Sequence, residues 1–125
     1  MRTMLPALVA AVTMMLITTH APGQQQTEIY IPIGRSPGIS NTATYIGPIT
    51  KFNAGTGELA LESGGRSHVV TVTDDTHIWL DRTKEKLQNQ VGQKSDLRVG
   101  RTVEVKYSEP APQMTAEWIK VETVN

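Results

Sequence analysis

His68 and His77 stand nine residues apart, with Asp74 and Asp75 between them. Imidazole and carboxylate are the ligand types that zinc and copper use, but such sites draw three or four ligands to one point. Both histidines fall in segments that read as strands. His68 shares its parity with Val70 and Val72, whereas His77 opposes Ile78, so the two imidazoles are expected to face different surroundings. No metal site and no cofactor is assigned; His68, His77 and Asp75 are the residues a metal-binding alternative would use. A second group has binding rather than bond-breaking chemistry. Tyr30, His77, Trp79 and Arg82 offer rings and a cation for a ligand or partner face. Serine, histidine and aspartate all occur, yet no nucleophile elbow surrounds any serine, so no catalytic residue is named and the chain reads as a non-enzyme. Adjacent carboxylates on a strand point apart, and Asp74-Asp75 therefore reads as a turn.

The elements that must position these residues are short strands. Tyr45 to Phe52 reads as a strand broken at Gly47-Pro48, and Asn53-Ala54-Gly55-Thr56-Gly57 as a turn. Glu58 to Glu62 alternates polar and apolar residues, Ser63-Gly64-Gly65 turns, and His68 to Thr73 is rich in the β-branched residues that suit a pleated surface. Thr76 to Leu80 resumes extended structure. Its parity places Ile78 inward, with His77, Trp79 and Asp81 outward. The polar stretch from Asp81 to Lys94 reads as a loop excursion. Ser95 to Gly100 reads as a capped helical turn, Ser95 the N-cap and Gly100 the left-handed stop. Two strands follow, Arg101 to Tyr107 and Thr115 to Thr123. By alternation Val70, Val72, Ile78, Val103, Val105, Ile119 and Val121 are the expected core. The fold class is all-β: a small OB-like barrel of five or six strands with one short helical turn.

Ahead of the barrel lie two other regions. Residues 1–23 have a basic start at Arg2, an apolar run from Met4 to Ile17 and small residues at Ala21 and Gly23, the layout of a signal peptide cleaved between Gly23 and Gln24. The run is too short for a permanent membrane span. Residues 24–43 form an extended arm in which Ile29, Ile31 and Ile33 alternate, with Pro32 restricting it to an edge or covering role. Two placements are open: the arm covers the Trp79 face of its own molecule, or it docks on a neighbour's sheet edge. The barrel domain is then residues 44–125. The whole chain balances 12 basic against 12 acidic residues and has no cysteine. Disulfides, thiolate zinc sites, a thiol nucleophile and lipid attachment through cysteine are excluded. Arg82, Lys84, Lys86 and Lys94 gather near Trp79, but Asp81, Glu85 and Asp96 dilute them, so no nucleic-acid partner is expected.

Gly47-Pro48-Ile49-Thr50, the run Val70 to Ile78, the run Ser95 to Val105 and Ala116 to Val121 follow one another in an order that resembles exported bacterial small β-barrel (OB-like) domains of a family of unknown function. The resemblance covers about residues 44–123. It implies an OB-like barrel outside the cytoplasm and carries no catalytic residues. The expected function is an exported, non-enzymatic binding or accessory module of the bacterial envelope, periplasmic or secreted. Its partner is expected to be an envelope protein or a small ligand.

Overall fold

The computed structural model of the chain describes residues 27–108 and 114–123. The expected signal peptide and its cleavage point at Gly23–Gln24 lie outside these residues. The described chain is built of strands: β1 (Thr44–Asn53), β2 (Glu58–Ser63), β3 (Arg66–Thr71), β4 (His77–Asp81), β5 (Gln90–Val91), β6 (Thr102–Ser108) and β7 (Thr115–Glu122). They hydrogen-bond in the order β3-β2-β1-β6-β7-β4-β5, and β3 also meets β7. That last contact, Thr71 beside Thr115, closes a five-stranded barrel of β1, β2, β3, β7 and β6. β4 runs parallel to β7 from His77↔Trp118 to Asp81↔Glu122. β3 and β4 thus lie end to end along one edge of β7, separated by the turn at Asp74-Asp75. Two-residue β5 pairs with β4 at Trp79 and Leu80.

Glycine chemistry fixes the sharp joints. Gly64 and Gly65 both have positive φ, 63° and 79°, as a tight hairpin between β2 and β3 demands. At Gly47 a side chain is impossible, because a Cβ would lie 1.6 Å from the Glu62 carbonyl oxygen. The break expected at Gly47-Pro48 is absent: β1 runs through both residues in register with β6, and its irregularity lies further on, against β2 between Ile49 and Lys51.

Alternation fills the interior. Leu59 and Leu61 of β2, Val103 and Val105 of β6, and Ile119 and Val121 of β7 are all fully buried, and with Ile49, Val70, Val72 and Ile78 they make one cluster. All seven expected core residues are in it.

Four further expectations needed correction. Among its described residues the arm has no strand. Residues 27–28 are helical and residues 29–43 run as turns and bends, and the amide N–H groups of Ile33 and Gly34 are taken by carboxylates of the barrel domain rather than by a neighbouring strand. The excursion from Asp81 to Lys94 is not structureless: it holds a 3-10 turn at Thr83–Glu85 and the strand β5. The late helical turn is 3-10 and spans Lys94–Asp96. Its start is set by Asp96, whose carboxylate accepts from the Gln93 amide at 2.8 Å, so Ser95 lies inside the turn and is not its cap. Finally, Glu104, on the outward parity of β6, is fully buried, because the arm roofs that part of the sheet.

Candidate functional site

Two places bring polar and aromatic side chains together, and β4 serves both. Its outward residues are His77, Trp79 and Asp81; on β7 the matching residues are Trp118, Lys120 and Glu122. Strand parity alone puts all six on one face.

The Asp81 end of this face lies beneath the arm. Lys120 is 1% exposed and Glu104 is fully buried. The Lys120 ammonium donates to the Ile31 carbonyl at 2.9 Å and to Ser36 Oγ at 3.2 Å, and pairs with Glu28 Oε2 at 3.6 Å. Its Nζ also sits 4.7 Å from the Trp118 ring centre, within the range of a cation–π contact. Glu104 accepts from the Gly34 amide at 2.9 Å, Ser40 Oγ at 2.6 Å and Thr44 Oγ1 at 2.9 Å. Asp81 accepts from the Ile33 amide at 2.9 Å and from the Thr83 amide and hydroxyl. Asn89 links the excursion to the arm, donating to the Ile29 carbonyl at 3.0 Å.

Burial drives the Lys120 ammonium below its ordinary pKa, while the charges of Glu28, Glu104 and Asp81 and a bond to Glu28 pull the other way. For Asp81 burial pushes the pKa up, but the bonds from Ile33 and Thr83 and the charge of Lys120 together outweigh it, and the carboxyl ends below its usual range.

The His77 end is open. The His77 ring is exposed and stacks on Trp79, with centroids 5.9 Å apart and planes 17° from parallel. Trp79 is buried and meets Trp118 at 5.6 Å. Beside them a cleft of about 290 Å³ is lined by Asp74, His77, Ile78, Trp79, Val91 and Lys94, among others. Lys94 bonds Asp74 at 2.9 Å across its rim, and that bond and charge hold the Asp74 carboxyl below its ordinary range. On the other side of His77 a second hollow of about 430 Å³ is lined by Asp75, Thr115 and Glu117. One imidazole therefore forms a wall shared by two hollows.

No family model matches the chain, and no curated protein is similar to it. One solved structure, "Crystal structure of Ag(I)CusF", is similar at 10% identity and a TM-score of 0.46, over 62% of this chain and 93% of its own. A likeness at that level carries no argument about function. What stands of the resemblance read from the sequence is the small OB-like β-barrel.

Of the residues singled out in the sequence, the structure joins His77 to Trp79. Arg82 turns back into its own loop, its Nε bonding the Gln88 carbonyl at 2.9 Å. Tyr30 is 55% exposed. His68, on β3, is stacked on Tyr45 of β1 at 3.8 Å, and its ring nitrogen meets the Ser63 carbonyl. Asp75 is exposed in the turn before β4. Among the described residues no three histidine, aspartate or glutamate side chains are grouped as a metal site requires, and no helix is long and apolar enough to cross a membrane. The sequence reading missed Trp118 and Lys120. The signal was present, since both flank inward-facing Ile119 and so share the outward parity used for Trp79.

Proposed function

We propose that this protein is an exported, non-enzymatic binding module of the bacterial envelope, with its ligand seat in the cleft beside His77 and Trp79. The observation that carries this reading is the exposed His77 ring, stacked on a buried tryptophan at the mouth of a cleft on a rigid barrel. An imidazole face backed by indole offers a flat apolar platform, and Asp74 and Lys94 supply one charge of each sign at the rim. That combination suits a small ligand with a planar or apolar body and a polar end. Export rests on the leader-like residues 1–23. The mature N-terminus is then Gln24, which mass measurement of the protein recovered from the envelope or medium checks directly.

The test is a titration of the protein with free amino acids, short peptides, mono- and disaccharides, Zn(II) and Cu(I). It is read by tryptophan fluorescence and by amide chemical shifts. The expected result is that one class perturbs the amides of residues 76–80 and 91–94, and that His77→Ala abolishes the response. Response to none of the probes, or a response indifferent to His77→Ala, would sink the reading. The metal-binding alternative through His68 and His77 is read in the same titration: it requires that Zn(II) or Cu(I) shift both imidazoles together.

A further inference from the structure

The open end and the covered end of the β4/β7 face are joined by a continuous row of contacts. His77 pairs across the strands with Trp118, and Trp79 with Lys120, so these side chains form a block on the outer face. Exposure falls along it: the His77 ring is open to solvent, while Trp79, Trp118 and Lys120 are buried. The His77 ring stacks on Trp79, Trp79 meets Trp118 at 5.6 Å, and the Lys120 ammonium sits 4.7 Å from the Trp118 ring centre. The last link leads into the arm. The same ammonium is held by the Ile31 carbonyl at 2.9 Å, by Ser36 Oγ at 3.2 Å and by the Glu28 carboxylate at 3.6 Å. Arm groups therefore keep the cation over the indole.

Strand pairing fixes the Lys120 backbone but not the flexible stem beyond it. Left to itself, a lysine ammonium turns out to water. Among the described residues, the hydrogen bonds that the Lys120 ammonium donates go to the arm. From this row we infer that the docked arm positions the ligand seat: by holding the Lys120 ammonium on Trp118 it fixes the indoles against which His77 stacks. Lys120 and Trp118 are then positioning residues for a cleft that neither of them lines. The inference rests on the reading of the His77 cleft as a ligand seat, but its test needs no ligand. Withdrawing the arm's hold lets the cation leave, the indoles lose their fixed backing, and the imidazole loses its stacked geometry. Such coupling is reciprocal, so a ligand that tightens the His77 stack favours the docked arm by the same factor.

The experiment follows the ring protons of His77 and the indole signals of Trp118 by NMR in the whole protein. One variant, Glu28→Gln with Ser36→Ala, removes the charge and the hydroxyl by which arm side chains hold Lys120 and leaves the barrel unaltered. A second, Lys120→Met with Glu28→Gln and Glu104→Gln, keeps the stem, removes the cation and leaves no buried carboxylate without its partner. In both, the Trp118 signals are expected to shift. The His77 ring signals, displaced in the unaltered protein by the ring current of Trp79, are expected to move toward those of free histidine. Trp118→Leu is expected to move the His77 signals in the same direction, and Trp118→Phe, which keeps a ring beneath the cation, to restore them. A merely destabilised protein would not do this, since a minor unfolded population leaves the ring shifts of the native state in place. Lys51→Ala, exposed on β1, is the control expected to move neither signal. If either of the first two variants fails to fold, the other carries the test. His77 signals that stay in place while those of Trp118 shift overturn the inference, as do signals of both residues that stay in place. Because no ligand is present, either outcome leaves the seat itself to be decided by the ligand titration.

Discussion

The molecule has two buried layers that meet across the same strands. Inside the barrel, Val103, Val105, Ile119 and Val121 pack with leucine and isoleucine from β1, β2 and β4. One residue further along the same strands, Glu104 and Lys120 face outward and are just as deeply buried, under the arm. The first layer is held by forces without direction. The second is held by hydrogen bonds whose donors and acceptors must match in position. An apolar layer supplies stability and tolerates change of shape within its volume; a polar layer adds little net energy over an apolar equivalent but fixes which segment lies where. The difference teaches how a chain without disulfides can anchor a turn-rich arm that has no strand pairing.

The largest expected effect breaks the polar layer. Lys120→Ala leaves Glu28, Glu104 and Asp81 facing one another without their cation. Removing one partner from a buried ion pair costs about 3–5 kcal/mol, which denaturant unfolding would read. Replacing the set together, Lys120→Met with Glu28→Gln and Glu104→Gln, is expected to recover much of that loss. If single and combined variants cost the same, the layer contributes through volume and the contrast between the two layers is false.

Next comes the apolar layer. Ile119→Ala removes a fully buried side chain and is expected to cost about 2–5 kcal/mol. Thr71→Ala, half-buried on the opposite parity of β3, is expected to cost less than about 1 kcal/mol. Equal losses would show that alternation does not separate inside from outside in these strands.

This layer was the legible one. Alternation over Val70, Val72, Val103, Val105, Ile119 and Val121 is a property of neighbours in sequence, and it located the barrel core and the hairpin glycines. The polar layer was not legible in the same way. Glu104 reads as a solvent-facing residue of β6 unless one knows that Gly34 and Ser40, some 70 and 64 positions away, come to lie on it. The isoleucines of the arm announced a covering segment, but the same alternation suggested a strand that the structure lacks. Main-chain amides committed to distant carboxylates leave no sequence periodicity. Trp118 was a different omission, since its outward parity was available and was applied only to Trp79.

Acid sharpens the comparison, because only one layer titrates. The folded Asp81 carboxyl lies below its ordinary value of 3.8, so folding binds fewer protons there than the unfolded chain does. Its contribution is present in full above 3.8 and is lost as pH falls through the lower folded value. Stability is therefore expected to drop in that acid window, and Asp81→Asn is expected to flatten the drop while lowering stability at neutral pH. Hydrogen exchange should show amides of residues 31–36 opening before those of β2 and β6. Simultaneous opening of all of them would mean that the arm and barrel are one cooperative layer.

The smallest expected effect on stability lies at His77, and its smallness is the informative part. The ring is exposed, so its removal uncovers part of Trp79 without leaving a cavity in the core or a buried charge unpaired. Neither mechanism that produces large losses applies, and His77→Ala is expected to change unfolding free energy by no more than about 0.5 kcal/mol. Its spectroscopic effect should be large by comparison, because the stacked partner of Trp79 is gone: the tryptophan emission should shift red in the folded state. A residue held for packing would show the reverse, a marked loss of stability with little change in the surface it leaves. The pairing of negligible destabilisation with a clear change at Trp79 marks His77 as a side chain placed outward on a rigid strand, available to whatever enters the cleft. Destabilisation comparable to that of Ile119→Ala would instead make His77 part of the fold's support and remove the ground for a ligand seat there.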